Sequence, residues 1–279
     1  MGSRPFMTYD SVAAAEIAIY SIFLIGGIIL CRRHGFTKSS GWRFLIILSL
    51  ARIVGSGLLL ATLNDPTNIG LYVGWVICES LGLGPLVLMI LGLLSRAFES
   101  MSRAGHDVVK PKWKRGIELL MVVGLILIIV GGTQADYQAT ESLSFKVSYP
   151  AISKAGSAIM IVVVALVGLT ILAAARNQRY VSQGERRIIV VAAICFPFIV
   201  VRTAYSAIKV LGEVQGTVWL QLGMSTIMEM IVTLLCEVLG FTLDVVPAAP
   251  TDTEKYESGR SHRRRHHHRS KRQHRDDRY

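Results

Sequence analysis

The sequence predicts an all-α, polytopic membrane protein, a bundle of seven transmembrane helices with the N-terminus outside and the C-terminus in the cytosol. Three observations predict it. The chain of 279 residues is 52% hydrophobic and only 18% charged, whereas soluble domains carry about 25% charged residues. Its apolar residues fall into seven runs, each of about the 20 residues that a bilayer's hydrocarbon slab requires. Its basic residues alternate from loop to loop, which fixes an orientation.

The runs place the spans at 10–31, 42–63, 71–95, 116–134, 151–174, 188–210 and 219–243. Each is read as a helix, because unpaired backbone groups are too costly in lipid. The first run lacks a basic segment ahead of it and is long enough to cross, so it is read as a span and not as a cleaved signal. The second carries Ser49, Arg52 and Ser56 on one face. The third carries Tyr72, Trp75, Glu79 and Gly82 on one face, and then Pro85. The fourth and fifth have no mid-membrane charge; Glu118 and Lys154 lie near their ends. The sixth aligns Cys195, Phe198, Arg202, Tyr205 and Lys209 around Pro197. The seventh aligns Thr226, Glu229, Thr233, Glu237, Gly240 and Asp244. These stripes should face the bundle interior.

Orientation follows from Lys and Arg. The first loop holds Arg32, Arg33, Lys38 and Arg43; the third holds Arg96, Arg103, Lys110, Lys112, Lys114 and Arg115; the fifth holds Arg176, Arg179, Arg186 and Arg187. The even loops are near neutral or acidic, with Asp65, then Asp136, Glu141 and Lys146, then Glu213. The positive-inside rule therefore assigns the odd loops and the C-terminus to the cytosol. Residues 1–246 form the transmembrane domain, and 247–279 form a disordered, His- and Arg-rich tail without aliphatic residues enough for a core. Arg263, Arg264, Arg265, Arg269, Lys271 and Arg272 in that tail suit anionic lipid headgroups. A cytosolic protein is the other partner that the basic loops and tail would suit. Net charge is +11, but its concentration in loops and tail points to the membrane surface and not to nucleic acid.

Ionisable side chains at membrane depth are expensive and mark candidate sites. Glu16, Arg52, Glu79, Arg202 and Glu229 come from five spans. By helical rise they share one level, roughly 9–15 Å below the outer surface. With Tyr205 they form the candidate ligand-binding or ion-pair cluster; Tyr20, Thr233 and Glu237 are secondary members. Arg52–Glu79 and Arg202–Glu229 are the natural pairs, since guanidinium and carboxylate match bidentately. Glu16 is then left over: protonated, sharing an arginine, or awaiting a cationic ligand. The sequence leaves a ligand or ion site and a purely structural network equally open. Pro85 and Pro197 should kink spans 3 and 6 beside the cluster.

Arg52 and Glu79 are 27 residues apart, as are Arg202 and Glu229. Spans 1–3 and 5–7 could thus be parallel repeats of a transporter. Absences matter too. The spans are expected to hold no histidine, the seventh has no lysine, and no phosphate loop or nucleotide fingerprint occurs. An enzyme, a metal and a cofactor are accordingly not expected.

Glu16, Ala51-Arg52 with Gly55, Glu79 with Gly82 and Pro85-Leu86, Phe196-Pro197-Phe198 with Arg202 and Tyr205, and Met228-Glu229 together resemble an uncharacterised fungal family of seven-span proteins, a domain of unknown function. In outline that family is similar to lipid-translocating exporter-like proteins and PTH11-like receptors. The resemblance covers about residues 8–245 and implies a fold and a membrane, without an activity. The expectation is a multi-pass protein of the plasma membrane or an endomembrane. It would be a receptor or sensor for an unknown small molecule, with an outward-facing polar cavity among spans 1, 2, 3, 6 and 7. A transporter or lipid translocator and a non-catalytic scaffold are the rival readings.

Overall fold

Long apolar runs with polar faces form helices, and these helices pack in sequence order. The structure, a computed structural model, describes residues 5–34, 41–103, 111–138, 146–181, 183–214 and 217–243. Seven helical stretches are long and apolar enough to cross a membrane. The first is α1 (Thr8–His34) and the second α2 (Trp42–Ala61). The third comprises α3 (Ile69–Leu81) and α4 (Leu83–Arg103). The fourth is α5 (Pro111–Thr133), the fifth α6 (Ala151–Arg176) and the sixth α7 (Gln183–Leu211). The seventh begins with α8 (Val218–Gln221), widens into a π-helical segment (Leu222–Ile227) and ends as α9 (Met228–Thr242).

The expected boundaries need four corrections. Span 3 runs on to Ser102, so Arg96 lies on α4 and not in a loop. Helix α1 reaches His34, so that histidine is helical and not in a loop. Its ring stacks on Trp42, and its Nε2 lies 3.1 Å from the Gly240 carbonyl. Span 3 is also interrupted at Gly82. Pro85 has no N–H to offer Leu81 and its ring crowds that carbonyl, so the break falls one turn ahead of the proline. Between spans 4 and 5 the chain makes a short antiparallel strand pair, Asp136–Gln138 with Lys146–Ser148, where the sequence suggests only a loop.

Local signals end and start the helices. Asn68 caps α3, its side chain accepting from the Gly70 N–H at 3.1 Å. Thr217 caps α8 through the Leu220 N–H. Neighbouring spans pack against one another in chain order, and α9 closes the ring onto α1. The exception to a simple ring is α4, which packs against α2, α5, α6, α7 and α9. Span 3 has 67% of its apolar window buried, against 44% or less in the other spans. Leu86, Val87, Met89, Ile90, Leu94 and Met101 of α4 are sealed, and the half of the helix up to Leu94 is apolar all round. Met1–Leu243 is one compact unit, and Asp244–Tyr279, which includes the basic tail residues, lies outside the described residues.

Outside this core, Ile22, Ile25, Val54, Leu119, Leu169, Ile194 and Val238 are exposed. Such a belt on many helices exceeds what a soluble surface carries, and it suits lipid. The protein is a multi-pass membrane protein with an all-helical seven-span bundle.

Candidate functional site

The five interior charges do converge, and Arg52 is their hub. Its Nη1 donates to Glu79 Oε2 at 2.6 Å. Its Nε and Nη2 donate to Glu229 Oε1 and Oε2 at 2.6 and 2.5 Å. That is a bidentate guanidinium–carboxylate pair between α2 and α9, with a second carboxylate from α3 on the remaining nitrogen. Arg52 is 2% exposed and Glu229 0%. Charges so deeply buried persist only when their remaining lone pairs and protons also find partners.

They do find them. Tyr20 donates its hydroxyl to Glu229 Oε1 at 2.9 Å. Ser225 donates to Glu79 Oε1 at 2.9 Å. Arg202 stands at the other side of the cluster. Its Nη2 donates to the Glu79 carbonyl at 3.0 Å, its Nη1 to Ser206 at 2.7 Å, and its Nε reaches Glu229 Oε2 at 3.4 Å. Of the two pairs expected from sequence, Arg52–Glu79 is made closely. Arg202–Glu229 is made at the longer distance, and Glu229 has Arg52 as its main partner. The reason is geometric: Arg52 of α2 reaches both carboxylate oxygens of Glu229 on α9, a placement that a sequence spacing does not encode.

Glu16 is not ion-paired among the described residues. Its Oε2 accepts from Ser56 at 2.6 Å and its Oε1 from Thr226 at 2.8 Å. Two hydroxyls from α2 and the π segment thus satisfy the carboxyl without an arginine. Thr233 donates to the Glu229 carbonyl at 2.8 Å, so it serves its own helix. Glu237 is 7% exposed and lies over Gly26 of α1, with no hydrogen bond or ion pair among the described residues. Gly82 matters for the same reason of approach: a Cβ there would fall 2.6 Å from Glu229 Oε2 and 2.9 Å from Arg52 Nη2. The break in span 3 lets bare backbone lie against the ion pair.

The expected cavity is displaced. Between spans 1, 2 and 3, the hollow beside Glu16, Arg52 and Trp75 has no room for a water centre. The roomier cavity lies among spans 3, 4, 5 and 6. Leu83, Ile128 and Met160 line its apolar wall, and Arg202, Tyr205, Ser206 and Lys209 line its polar wall. Its empty space, with the open solvent at its mouth included, is about 540 Å³. About 40 Å³ of this is open to the centres of water-sized molecules, room for roughly three. The hollow of spans 1, 2 and 3 at Arg52 is thus filled, and the roomier space lies on the Arg202 side. Tyr205 and Arg202 therefore line the cavity, while Glu16, Tyr20, Thr233 and Glu229 do not.

Sequence reasoning missed three features of this site. Lys209 was aligned with the interior face but left out of the candidate cluster. Ser225 was overlooked because the π segment that carries it has no evident sequence signature. The π segment itself is a local widening of the kind often found at functional sites. A fourth feature sits at the opposite end of the same helices: Arg96 of α4 pairs with Glu185 of α7 at 3.4 Å.

Fold and site together define an integral membrane protein with a buried intramembrane ion-pair network beside a polar cavity. The chain belongs to the family of the domain of unknown function DUF7702, whose profile matches residues 6–246. No curated protein matches it.

Proposed function

We propose that this protein is a non-enzymatic small-molecule receptor or sensor, whose ligand occupies the cavity among spans 3, 4, 5 and 6. One observation carries the reading. Spans 3 and 6 line the cavity at one end and hold the Arg96–Glu185 ion pair at the other. Arg202 and Glu185 are separated along α7 by roughly 25 Å of helical rise. Between them lies Pro197, and between Glu79 and Arg96 lie Gly82 and Pro85. A ligand that repositions α7 against α4 at the cavity has a weak point in each helix at which to turn and a partly exposed ion pair to loosen. A ligand shifts such a pair only through its differential affinity for the two arrangements of α4 and α7. The basic loops expected beside that ion pair would meet a cytosolic protein or anionic lipid.

The test uses spin labels at Ser102→Cys and Arg187→Cys, both on exposed positions, in a chain whose native cysteines are replaced. A cavity ligand should broaden or lengthen the α4–α7 distance distribution, and Glu185→Gln alone should do the same. A distribution unchanged by bound ligand would contradict the sensor reading.

A second reading has an observation of its own. Glu16 and Glu237 are interior carboxyls held without a cation among the described residues. That favours a proton-coupled transporter. Substrate flux in proteoliposomes, abolished by Glu16→Gln, would support it over the sensor.

A further inference from the structure

The polar groups of the cavity wall divide into those with partners and those without, and the division has a sign. Glu79 is the carboxylate of the lining, and it is fully engaged. Its Oε2 accepts from Arg52, its Oε1 from Ser225 and its carbonyl from Arg202. Ser80 and Thr203 donate to carbonyls of their own helices. The remaining groups are donors. Lys209 lines the cavity, half-buried, and makes no hydrogen bond or ion pair among the described residues. Its ammonium offers three N–H groups and no acceptor. Tyr205 and Ser157 line the same wall, and neither hydroxyl has a partner among the described residues. Ser206 accepts from Arg202, so its own proton remains to be given.

The half-buried ammonium lies in the field of Glu79, but that carboxylate is already held by Arg52 and Ser225, so the three N–H groups, with the neighbouring hydroxyls, have room to take a further anion. Opposite it stand Leu83, Ile128, Met160 and Val210. These would leave any further charge on the ligand unsolvated.

We propose that this cavity binds a monoanionic carboxylate carrying a small apolar body. The carboxylate meets Lys209, Tyr205, Ser157 and Ser206, and the apolar body lies against Leu83, Ile128, Met160 and Val210. This rests on the sensor reading's placement of the ligand. A dianion would exceed the single unpaired cation, and a cation would face Lys209 and Arg202 directly. Carboxylates reach this wall from two sources, as water-soluble acids or as fatty acids of the bilayer, and the site chemistry is the same for both.

The experiment measures binding to the full chain in lipid nanodiscs by calorimetry and thermal shift. The probes are butyrate, benzoate and oleate as carboxylates, inorganic phosphate as a polyanion, benzamide as the neutral isostere and benzylamine as the cation. At least one carboxylate should bind, with benzamide and benzylamine weaker by about tenfold or more, as expected when a charge-assisted bond is lost. Tight binding of oleate alone would assign the bilayer as the source, and binding of butyrate or benzoate would assign the aqueous phase. Lys209→Gln should abolish the discrimination between benzoate and benzamide, and Lys209→Arg should restore part of it. Should Lys209→Gln fail to fold, Ser157→Ala with Tyr205→Phe should weaken carboxylate binding selectively.

Equal binding of acid, amide and amine, tighter binding of phosphate, or no carboxylate binding would overturn the anion site. So would unchanged carboxylate selectivity in the Lys209 variants. Carboxylate binding without a change in the α4–α7 distance would leave the anion site standing and contradict the sensor reading.

Discussion

At the scale of the residue, a small number of side chains hold the bundle's interior together through one guanidinium. Arg52 makes three short contacts to two carboxylates, whereas Arg202 makes one long contact to a carboxylate and two to neutral oxygens. Removing Arg52 would strand Glu79 and Glu229 together in a buried setting. Arg52→Met should therefore cost about 3–5 kcal/mol and Arg202→Met distinctly less. Tyr20→Phe, which takes one hydroxyl from Glu229, should cost about 1.5–3 kcal/mol. Equilibrium unfolding in mixed lipid–detergent micelles gives the ranking, and Arg202→Met as the most damaging change would contradict it. Much of this was legible in the sequence. An ionisable residue in an apolar run had to face inward, and Glu16, Arg52, Glu79, Arg202 and Glu229 all do. Both expected pairs are made, Arg52–Glu79 at 2.6 Å and Arg202–Glu229 at 3.4 Å; what the sequence could not rank was Arg52 as the main partner of Glu229. Equal spacings of 27 residues suggested two equivalent pairs, yet Ser56 serves Glu16 while Ser206 serves Arg202. The proposed repeat is therefore not mirrored in the contacts.

At the scale of the element, two irregular segments and a helix-internal proline lie around the charge network. Gly82 separates α3 from α4, the π segment precedes Glu229 and supplies Ser225 and Thr226, and Pro197 lies in α7 one and a half turns from Arg202. Pro85 made the first of these foreseeable, because a missing N–H and a crowded carbonyl weaken a helix in any surroundings, whereas α7 runs as one helix through Pro197. The π segment was not foreseeable, since Leu222–Ile227 contains no residue type that demands a wider turn. Small residues also set how closely spans approach. At Gly156 of α6, a Cβ would fall 2.9 Å from the Gly124 carbonyl of α5, a backbone contact that only glycine permits. The sharper test is Gly82→Ala. Its methyl must push against Arg52 and Glu229, which are held by one another, so the loss should be about 1–3 kcal/mol. A thermal melt of Gly82→Ala equal to that of the natural chain would show that the network yields easily.

At the scale of the whole molecule, seven spans form a ring whose third member runs through the middle. Apolar runs and loop charges sufficed for the number and rough position of the spans. The central place of α4 was not legible, because a helix sealed among other helices and one bathed in lipid are both apolar. That placement displaced the cavity. With α4 at the centre, spans 1, 2, 3 and 7 close around Arg52, and the open space falls between spans 3, 4, 5 and 6. The central claim is that spans 2 and 7 are tied through Arg52 and Glu229, 177 positions apart. The most direct measurement is a pair of double-mutant cycles on unfolding free energy, one for Arg52→Met with Glu229→Gln and one for Arg202→Met with Glu229→Gln. The account predicts a coupling of about 2 kcal/mol or more for Arg52–Glu229 and under about 1 kcal/mol for Arg202–Glu229. Additive losses in the first cycle, or a larger coupling in the second, would contradict it.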